Sequence, residues 1–483
     1  MAEIYYHDIG DYLSREEKLS RIRNNRSVRG LEWTVIIPNE KHDWINQRDG
    51  VFDSMFLLGD KDDKANKRTF FNPCYSRGLA TARDAWCYNF SVSHLINRIR
   101  DSFDFYNHQR LRYIEAKAVK PLILPKDVVV MSEATLSWNR NLLNDCRLNK
   151  ELYYKEKGVR TGVYRPYCKQ SVYFDADMND MTYQLDKIFP SQDKQNFVIC
   201  MSSPGDSKDY SSLIVNSLPD LHLVATTQCF PLYWYEENKN KQRSLFDEEQ
   251  NDDYIRRDGI TDWILKEVRT RYGTKNITKE MIFYYVYGLL HSKDYRERFA
   301  ADLKKSLPRI PIVDSIEDFM DFYKAGKALA DLHLNYEEVP PCPGVVVRGD
   351  RQVPLTVKRD PATGGYIQAP ADDGAYDYFR VIDKMRFKSK EDKSTIIYNG
   401  NITIENIPAK AYDYIVNGKS AIEWLVERYA VTIDKKSLIK NDANDWAREH
   451  HKPRYILDLV LSVINVSVQT VDIVNSLPKL KFD

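Results

Sequence analysis

Residues 236–262 carry 9 acidic and 5 basic side chains and few apolar ones. A run of that kind cannot bury enough apolar surface to offset the entropy of ordering it inside a core. It reads as a solvated linker or loop, and it divides the 483 residues, too many for one ordinary domain, into two or three compact units. Ahead of it, Glu3-Ile4-Tyr5-Tyr6-His7-Asp8 reads as a strand, and Ser14-Arg15-Glu16-Glu17 opens a helix with the reciprocal capping pattern. Residues 31–37 are β-rich and close on the polar turn Pro38-Asn39-Glu40-Lys41. Residues 92–115 have amphipathic helical spacing, and Val128-Val129-Val130-Met131 has the length and composition of a buried strand. Behind the acidic stretch, residues 278–334 are strongly helical, with a stop at Pro308 and Pro311. Met281, Phe283, Tyr284 and Val286 are its expected core residues. Residues 340–408 change to strand and turn, punctuated by Pro343-Gly344 and by Pro361-Ala362-Thr363-Gly364-Gly365, and helices return over 420–428 and 453–477. The class is mixed α+β, without internal repeats: a β-rich region, a helical scaffold block and a further small β-rich region.

Several function classes are excluded or disfavoured on composition. No apolar run approaches the roughly 18 residues that a membrane span needs. The start Met1-Ala2-Glu3-Ile4 lacks the basic and apolar regions of a signal peptide. Seven cysteines are dispersed with no CxxC pair, a set that fits unpaired thiols in a reducing cytoplasm. A chain that opens directly on a strand reads as a cut inside a larger protein.

The search for catalytic chemistry returns little. Asn72-Pro73-Cys74-Tyr75 resembles the Asn-Pro-Pro-Tyr loop with which amino-methyltransferases hold a flipped base. Cys74 replaces the second proline, the preceding residues 61–68 are polar where an apolar strand should deliver the loop, and no glycine-rich cofactor turn lies upstream. A surface turn is the expectation. There is no GxxxxGK[ST], no GxGxxG and no GxSxG. His450-His451 follow Glu449 without the HExxH spacing that places two imidazoles on one helix face, so they read as a polar helix end. Cys87 and His94 lie seven apart with nothing to mark either as activated. The expectation is a binding module with no catalytic residue, no metal and no cofactor of its own.

Charge distribution points the same way. The net charge is +1, but residues 76–170 hold 17 Lys and Arg against 9 Asp and Glu. A basic segment is the footprint of phosphate binding, because each neutralised phosphate releases counterions. The 32 tyrosines offer stacking faces and hydroxyl donors, although tyrosines also line the edges of cores.

Strings spread over almost the whole chain, in one order, resemble a single family. They include Tyr5-Tyr6-His7-Asp8-Ile9-Gly10-Asp11-Tyr12-Leu13, Trp44-Ile45-Asn46-Gln47-Arg48 and Tyr75-Ser76-Arg77-Gly78. With them go Arg83-Asp84-Ala85-Trp86-Cys87-Tyr88-Asn89-Phe90-Ser91, Phe230-Pro231-Leu232-Tyr233, Tyr287-Gly288-Leu289-Leu290-His291-Ser292 and Trp424-Leu425-Val426-Glu427-Arg428-Tyr429. The family is the C-terminal target-recognition (specificity) region of type ISP single-polypeptide restriction–modification enzymes, which serve phage defence. The resemblance implies a sequence-specific double-stranded DNA recognition module. It would aim adenine-N6 methylation and motor-driven cleavage carried by upstream methyltransferase, helicase and nuclease domains, or by a separate chain. S-adenosylmethionine, ATP and magnesium would belong to those missing parts, and no membrane is involved. The alternative is an adenine-N6 methyltransferase subunit that binds S-adenosylmethionine itself through Asn72 to Tyr75.

On this resemblance residues 1–30 are the residual end of a methyltransferase domain and 31–235 a mixed α/β target-recognition region. An acidic linker or loop (236–262), a helical scaffold (263–336), a β-rich subdomain (337–410) and C-terminal helices (411–483) follow. Base reading needs side chains with fixed forks, Arg on guanine and Asn or Gln on adenine. Within the basic segment the candidates are Arg77, Arg83, Arg140, Arg160, Arg165, Lys169 and Gln170. The run Arg160-Thr161-Gly162-Val163-Tyr164-Arg165-Pro166-Tyr167, bounded by Gly and Pro, is expected to form a loop that enters a groove.

Overall fold

Strand segments Val-Ile-Cys-Met, Ser-Leu-Ile-Val and Gln-Cys-Phe-Pro have no polar face to offer water, and in the computed structural model they form one sheet with both faces buried. The structure describes residues 3–10, 13–63, 65–239, 253–360 and 364–482. The central sheet is antiparallel, in the order Ser76–Arg77, Gln228–Pro231, Val198–Met201, Ser212–Val215. Every residue of its last three strands is buried. Because side chains alternate across the pleat, Val198, Cys200, Leu213, Val215 and Cys229 enter one hydrophobic core. Their neighbours Ile199, Met201, Ile214 and Phe230 enter a second.

The first core is roofed by a second four-stranded sheet, in the order Leu218–Pro219, Val159–Arg165, Cys168–Tyr173, Tyr88–Asn89. The 28-residue helix Val92–Val119 packs on it, started by the Ser91 side chain, which accepts from the His94 N–H. The Glu449 carboxylate covers the same helix start and accepts from the Val92 amide at 2.8 Å and the Ser91 hydroxyl at 2.6 Å. A small sheet from the 340–408 region and the C-terminal helix Tyr455–Asn475 complete this core. The second core is the helical block, chiefly Lys279–Leu289 and Ile316–Leu334, capped by Thr278 and Ser315. Phe283, Tyr284 and Val286 are buried there as expected, and Met281 is half-buried against them.

These two helices cross at glycines. A Cβ at Gly326 would stand 1.9 Å from the Tyr284 carbonyl oxygen, and one at Gly288 would stand 2.3 Å from that of Phe322. His333, on the second helix, joins the cores. The Ile214 N–H of the central sheet donates to the Tyr287 hydroxyl at 3.1 Å. That hydroxyl bonds His333 Nδ1 at 2.6 Å, and His333 Nε2 bonds the Thr470 hydroxyl of the C-terminal helix at 2.9 Å.

Three expectations need correction. Val128-Val129-Val130-Met131 is not a strand; a 3-10 turn at Pro125–Asp127 leads into a loop with Val130 and Met131 exposed. The loop's backbone is satisfied by side chains instead: the Val130 N–H donates to Gln109 Oε1 and its carbonyl accepts from the Trp138 indole. The run Arg160 to Tyr167 is not a groove-entering loop. It is the strand Val159–Arg165 and its hairpin turn, with Tyr167 buried at φ 59°. The helix Tyr455–Asn475 does have the length and apolarity of a membrane span, and 67% of its most apolar window is buried inside the protein. The ends of the acidic stretch, Tyr233–Glu237 and Tyr254–Asp258, pair as an antiparallel ribbon. Residues 240–252 of that stretch, and 361–363 of the proposed turn, lie outside the described residues.

Two measurements check this account. Gly326→Ala forces backbone apart at the helix crossing and is expected to cost at least about 2 kcal/mol in urea unfolding. Burial, with Arg296 nearby, pushes His333 down to about 3. The unfolded chain therefore takes up a proton, at its ordinary value near 6.5, that the folded one refuses. Stability should fall as pH drops from about 6.5 toward 3, and His333→Gln should remove about 1.4 kcal/mol per pH unit of that slope.

Candidate nucleic-acid interface

Among the described residues the edge strand Ser76–Arg77 pairs with one strand, Gln228–Pro231. Ser76 turns inward, and its hydroxyl accepts from the Gln184 N–H at 3.1 Å. Arg77 turns outward and is exposed. Gln184 Nε2 donates to the Tyr75 carbonyl at 2.9 Å and the Pro73 carbonyl at 3.4 Å, which ties the segment before the edge strand to the 180–184 turn. That turn is anchored on its other side by the Ala80–Met181 bridge. Between the two anchors Tyr183 is held at φ 50°, a left-handed conformation that costs a bulky residue about 1 kcal/mol or more. The short helix Leu185–Ile188 then presents Lys187 to solvent.

These pieces, with Lys61 from the preceding loop and Trp234 from the ribbon, enclose a cleft of about 850 Å³. No carboxylate lines it. Among the described residues Lys61, Arg77 and Lys187 have no ion-pair partner, and burial together with the Arg77 charge lowers the pKa of Lys61. Cys74 sits in the same wall, and burial pushes its thiol up to about 11, so it is no nucleophile at neutral pH. Asn72 and Tyr75 do not form a methyltransferase loop. The Tyr75 ring stacks on Phe230 with centroids 4.9 Å apart, and its hydroxyl donates to the Asp60 carbonyl at 2.7 Å. The Asn72 amide donates to the Asp258 carbonyl at 2.9 Å.

Two other clefts are electrostatically different. One of about 500 Å³, between the Val159–Arg165 hairpin and the C-terminal helices, contains Arg160, Lys169 and Gln170 but also Glu156 and Glu337. A second, of about 660 Å³, is acidic, with Asp84, Glu133, Asp180, Asp220 and Asp434. Among the described residues no group of three or more His, Cys, Asp or Glu is placed to hold a metal.

The seven residues singled out from sequence do not converge on one surface. Arg77 lines the cationic cleft. Arg83 is buried and donates to the Met178 carbonyl at 3.0 Å. Arg140 is exposed, 3.9 Å from Asp180. Arg160 is half-buried and donates to the Ser191 carbonyl at 2.7 Å. Arg165 is locked on Asp220 at 2.6 Å, with the aspartate 2% exposed. Lys169 pairs with Glu337, whose other oxygen accepts from the Tyr455 hydroxyl. Gln170 is buried and accepts from Asn441 at 3.0 Å. Lys61, Tyr183, Lys187 and Trp234 were missed because each lies outside the basic segment of residues 76–170.

A cation-lined cleft with aromatic walls and no carboxylate suits an anionic, ring-bearing polymer. A family model, the type ISP C-terminal specificity domain, matches residues 69–459, and the chain belongs to that family. Its fold is similar to that of the ATP-dependent type ISP restriction–modification enzyme LlaBIII bound to DNA: 36% identity and a TM-score of 0.79 over 99% of this chain and 28% of that one. A nuclease-deletion mutant of the type ISP enzyme LlaGI, in complex with a DNA substrate mimic, gives 32% identity and a TM-score of 0.79 over 99% and 39%. A DrdV–DNA complex gives 29% and 0.76 over 99% and 43%. The chain thus spans less than half the length of these proteins. No curated protein matches it.

The partners of the two arginines make a direct comparison possible. Arg165→Ala strands a buried Asp220 and is expected to lower stability by about 3 kcal/mol. Arg77→Ala, at an exposed and unpaired position, should change it by less than about 0.5 kcal/mol. Urea titrations of both variants read the difference.

Proposed function

We propose that this chain is the double-stranded DNA recognition module of a type ISP restriction–modification enzyme. The observation that carries the reading is the carboxylate-free cleft with three unpaired cations, on the fold of a specificity-domain family whose solved relatives include DNA complexes. The cations would set register on the phosphate backbone without carrying sequence information, and side chains at groove edges would read the bases.

Methylation, translocation and cleavage belong, in this reading, to further parts of the enzyme or to a separate chain. S-adenosylmethionine, ATP and magnesium would be held there. The segment ahead of the central sheet supports a partner of this kind. Its two-stranded sheet, Ile4–Tyr6 with Thr34–Ile36, and its helix Arg15–Asn24 leave Leu19, Ile22, Val35, Ile37 and Trp44 exposed, apolar groups that a neighbouring domain would cover. The seven cysteines, all free thiols, suit a reducing cytoplasm. A methyltransferase role for Asn72 to Tyr75 is disfavoured, because the Tyr75 ring and hydroxyl are both engaged inside the protein.

Selection from a random duplex library, sequenced at moderate and raised salt, tests the proposal. Recovery of an asymmetric motif of several base pairs that survives the salt is expected. Binding that collapses with salt and yields no motif would reduce the interaction to backbone attraction and sink the recognition reading.

A further inference from the structure

The cationic cleft contains more than phosphate binding requires. Three lysine and arginine side chains would suffice for a backbone contact. The same space also presents Tyr183 and Trp234, and neither ring stacks on another aromatic among the described residues. The Trp234 indole N–H is spent on the Asp258 carbonyl at 3.2 Å, which leaves its ring face as its contribution to the cleft. Tyr183 is held in a strained conformation between two anchors, the Ala80–Met181 bridge and the Gln184 hydrogen bonds. Strain of this sort persists where the surroundings over-determine it, and it clusters at ligand-binding positions.

A paired base shows a groove only its edge and, for thymine, a methyl group, so a ring face finds no stacking partner there. They match a base that has left the stack, where aromatic contact replaces its lost neighbours. The cleft, at about 850 Å³, is also in the range of sites that enclose small molecules, and the Gln184 hydrogen bonds tie its edge-strand and turn walls together. We propose that it takes one nucleotide whose base has left the duplex, with the phosphate on Lys61, Arg77 and Lys187 and the base against Tyr183 and Trp234. The proposal rests on the DNA-recognition reading and deepens it: the module would hold DNA in a locally opened form.

Fluorescence anisotropy with two labelled probes tests this, a fully paired duplex and the same duplex carrying one unpaired, bulged nucleotide. The chain is expected to bind the bulged duplex at least about fivefold tighter, the effect of stacking one base. In Tyr183→Gly, which removes the ring at a φ that glycine adopts freely, the ratio of the two affinities should fall to about one. Tyr183→Phe keeps the ring and should keep the ratio. Lys187→Ala should reduce the salt dependence of binding by about one phosphate's worth. Equal affinity for both probes, or a preference that survives in Tyr183→Gly, would overturn the nucleotide site and leave the DNA-recognition reading standing. Failure to bind either probe would overturn both.

Discussion

A sheet with no solvent face gives its polar side chains only one another and the surrounding helices for partners. The central sheet obeys this constraint, and much of the molecule follows from it. Its polar side chains are engaged at every position but the exposed Arg77 of the edge strand. Ser212 accepts from Arg296, a buried guanidinium that also donates to the Leu290 carbonyl. Gln228 donates to Ser203 at 2.7 Å, and Ser76 accepts from Gln184. Each of these bonds ties the sheet to a different neighbour, since leaving one unmade in a dry interior costs about 1–3 kcal/mol. Two cores that could have formed separate domains are thereby joined through one layer. The His333 network fastens the joint: burial keeps the imidazole neutral, so that one ring nitrogen donates and the other accepts, and each bonds a different element.

The same layer positions the cationic cleft. Its cations come from three separate stretches of sequence, around residues 61, 77 and 187, and its second aromatic from residue 234. The order of the strands brings them together, with Ser76–Arg77 at the sheet's edge beside Gln228–Pro231. The hydrogen bonds of Gln184 then hold the 180–184 turn against that edge. Arg77 and Trp234 are thus mounted on strands and Lys187 on a short helix, and the turn that carries Tyr183 is tied to the sheet edge.

Local features were legible in the sequence. The capping pattern at Ser14 and the apolar spacing of residues 92–115, 278–334 and 453–477 correspond to helices, since periodicity and caps act within a few turns. Failures came where distant contacts decide. Val128-Val129-Val130-Met131 has strand composition but finds side-chain partners, Gln109 and Trp138, in place of a strand neighbour. Gly162 suggested a loop; it serves instead for close approach inside a strand, where a Cβ would meet Val172 at 2.9 Å. The count of basic residues over 76–170 was sound, yet it could not separate Arg77, which faces solvent, from Arg165 and Arg83, which are turned inward. Charge is a property of composition, whereas availability is a property of packing.

That distinction also bears on how a chain of net charge +1 could grip a polyanion. A nearly neutral protein has little long-range attraction for DNA, and at physiological ionic strength charges beyond about 8 Å are largely screened. Attraction must then come from a patch in which cations are concentrated and acids excluded. The cleft beside Arg77 comes nearer to that condition, since no carboxylate lines it, although Asp62 acts on Lys61 and Asp186 and Glu236 act on Cys74 from just outside. The cleft that holds Arg160 and Lys169 falls short, because Glu156 and Glu337 share it. A small patch contributes few released counterions, so it cannot supply high affinity for arbitrary DNA. Weak backbone attraction combined with a shaped, preorganised site favours discrimination over grip, which is the balance a specificity module needs among a large excess of competing sequence.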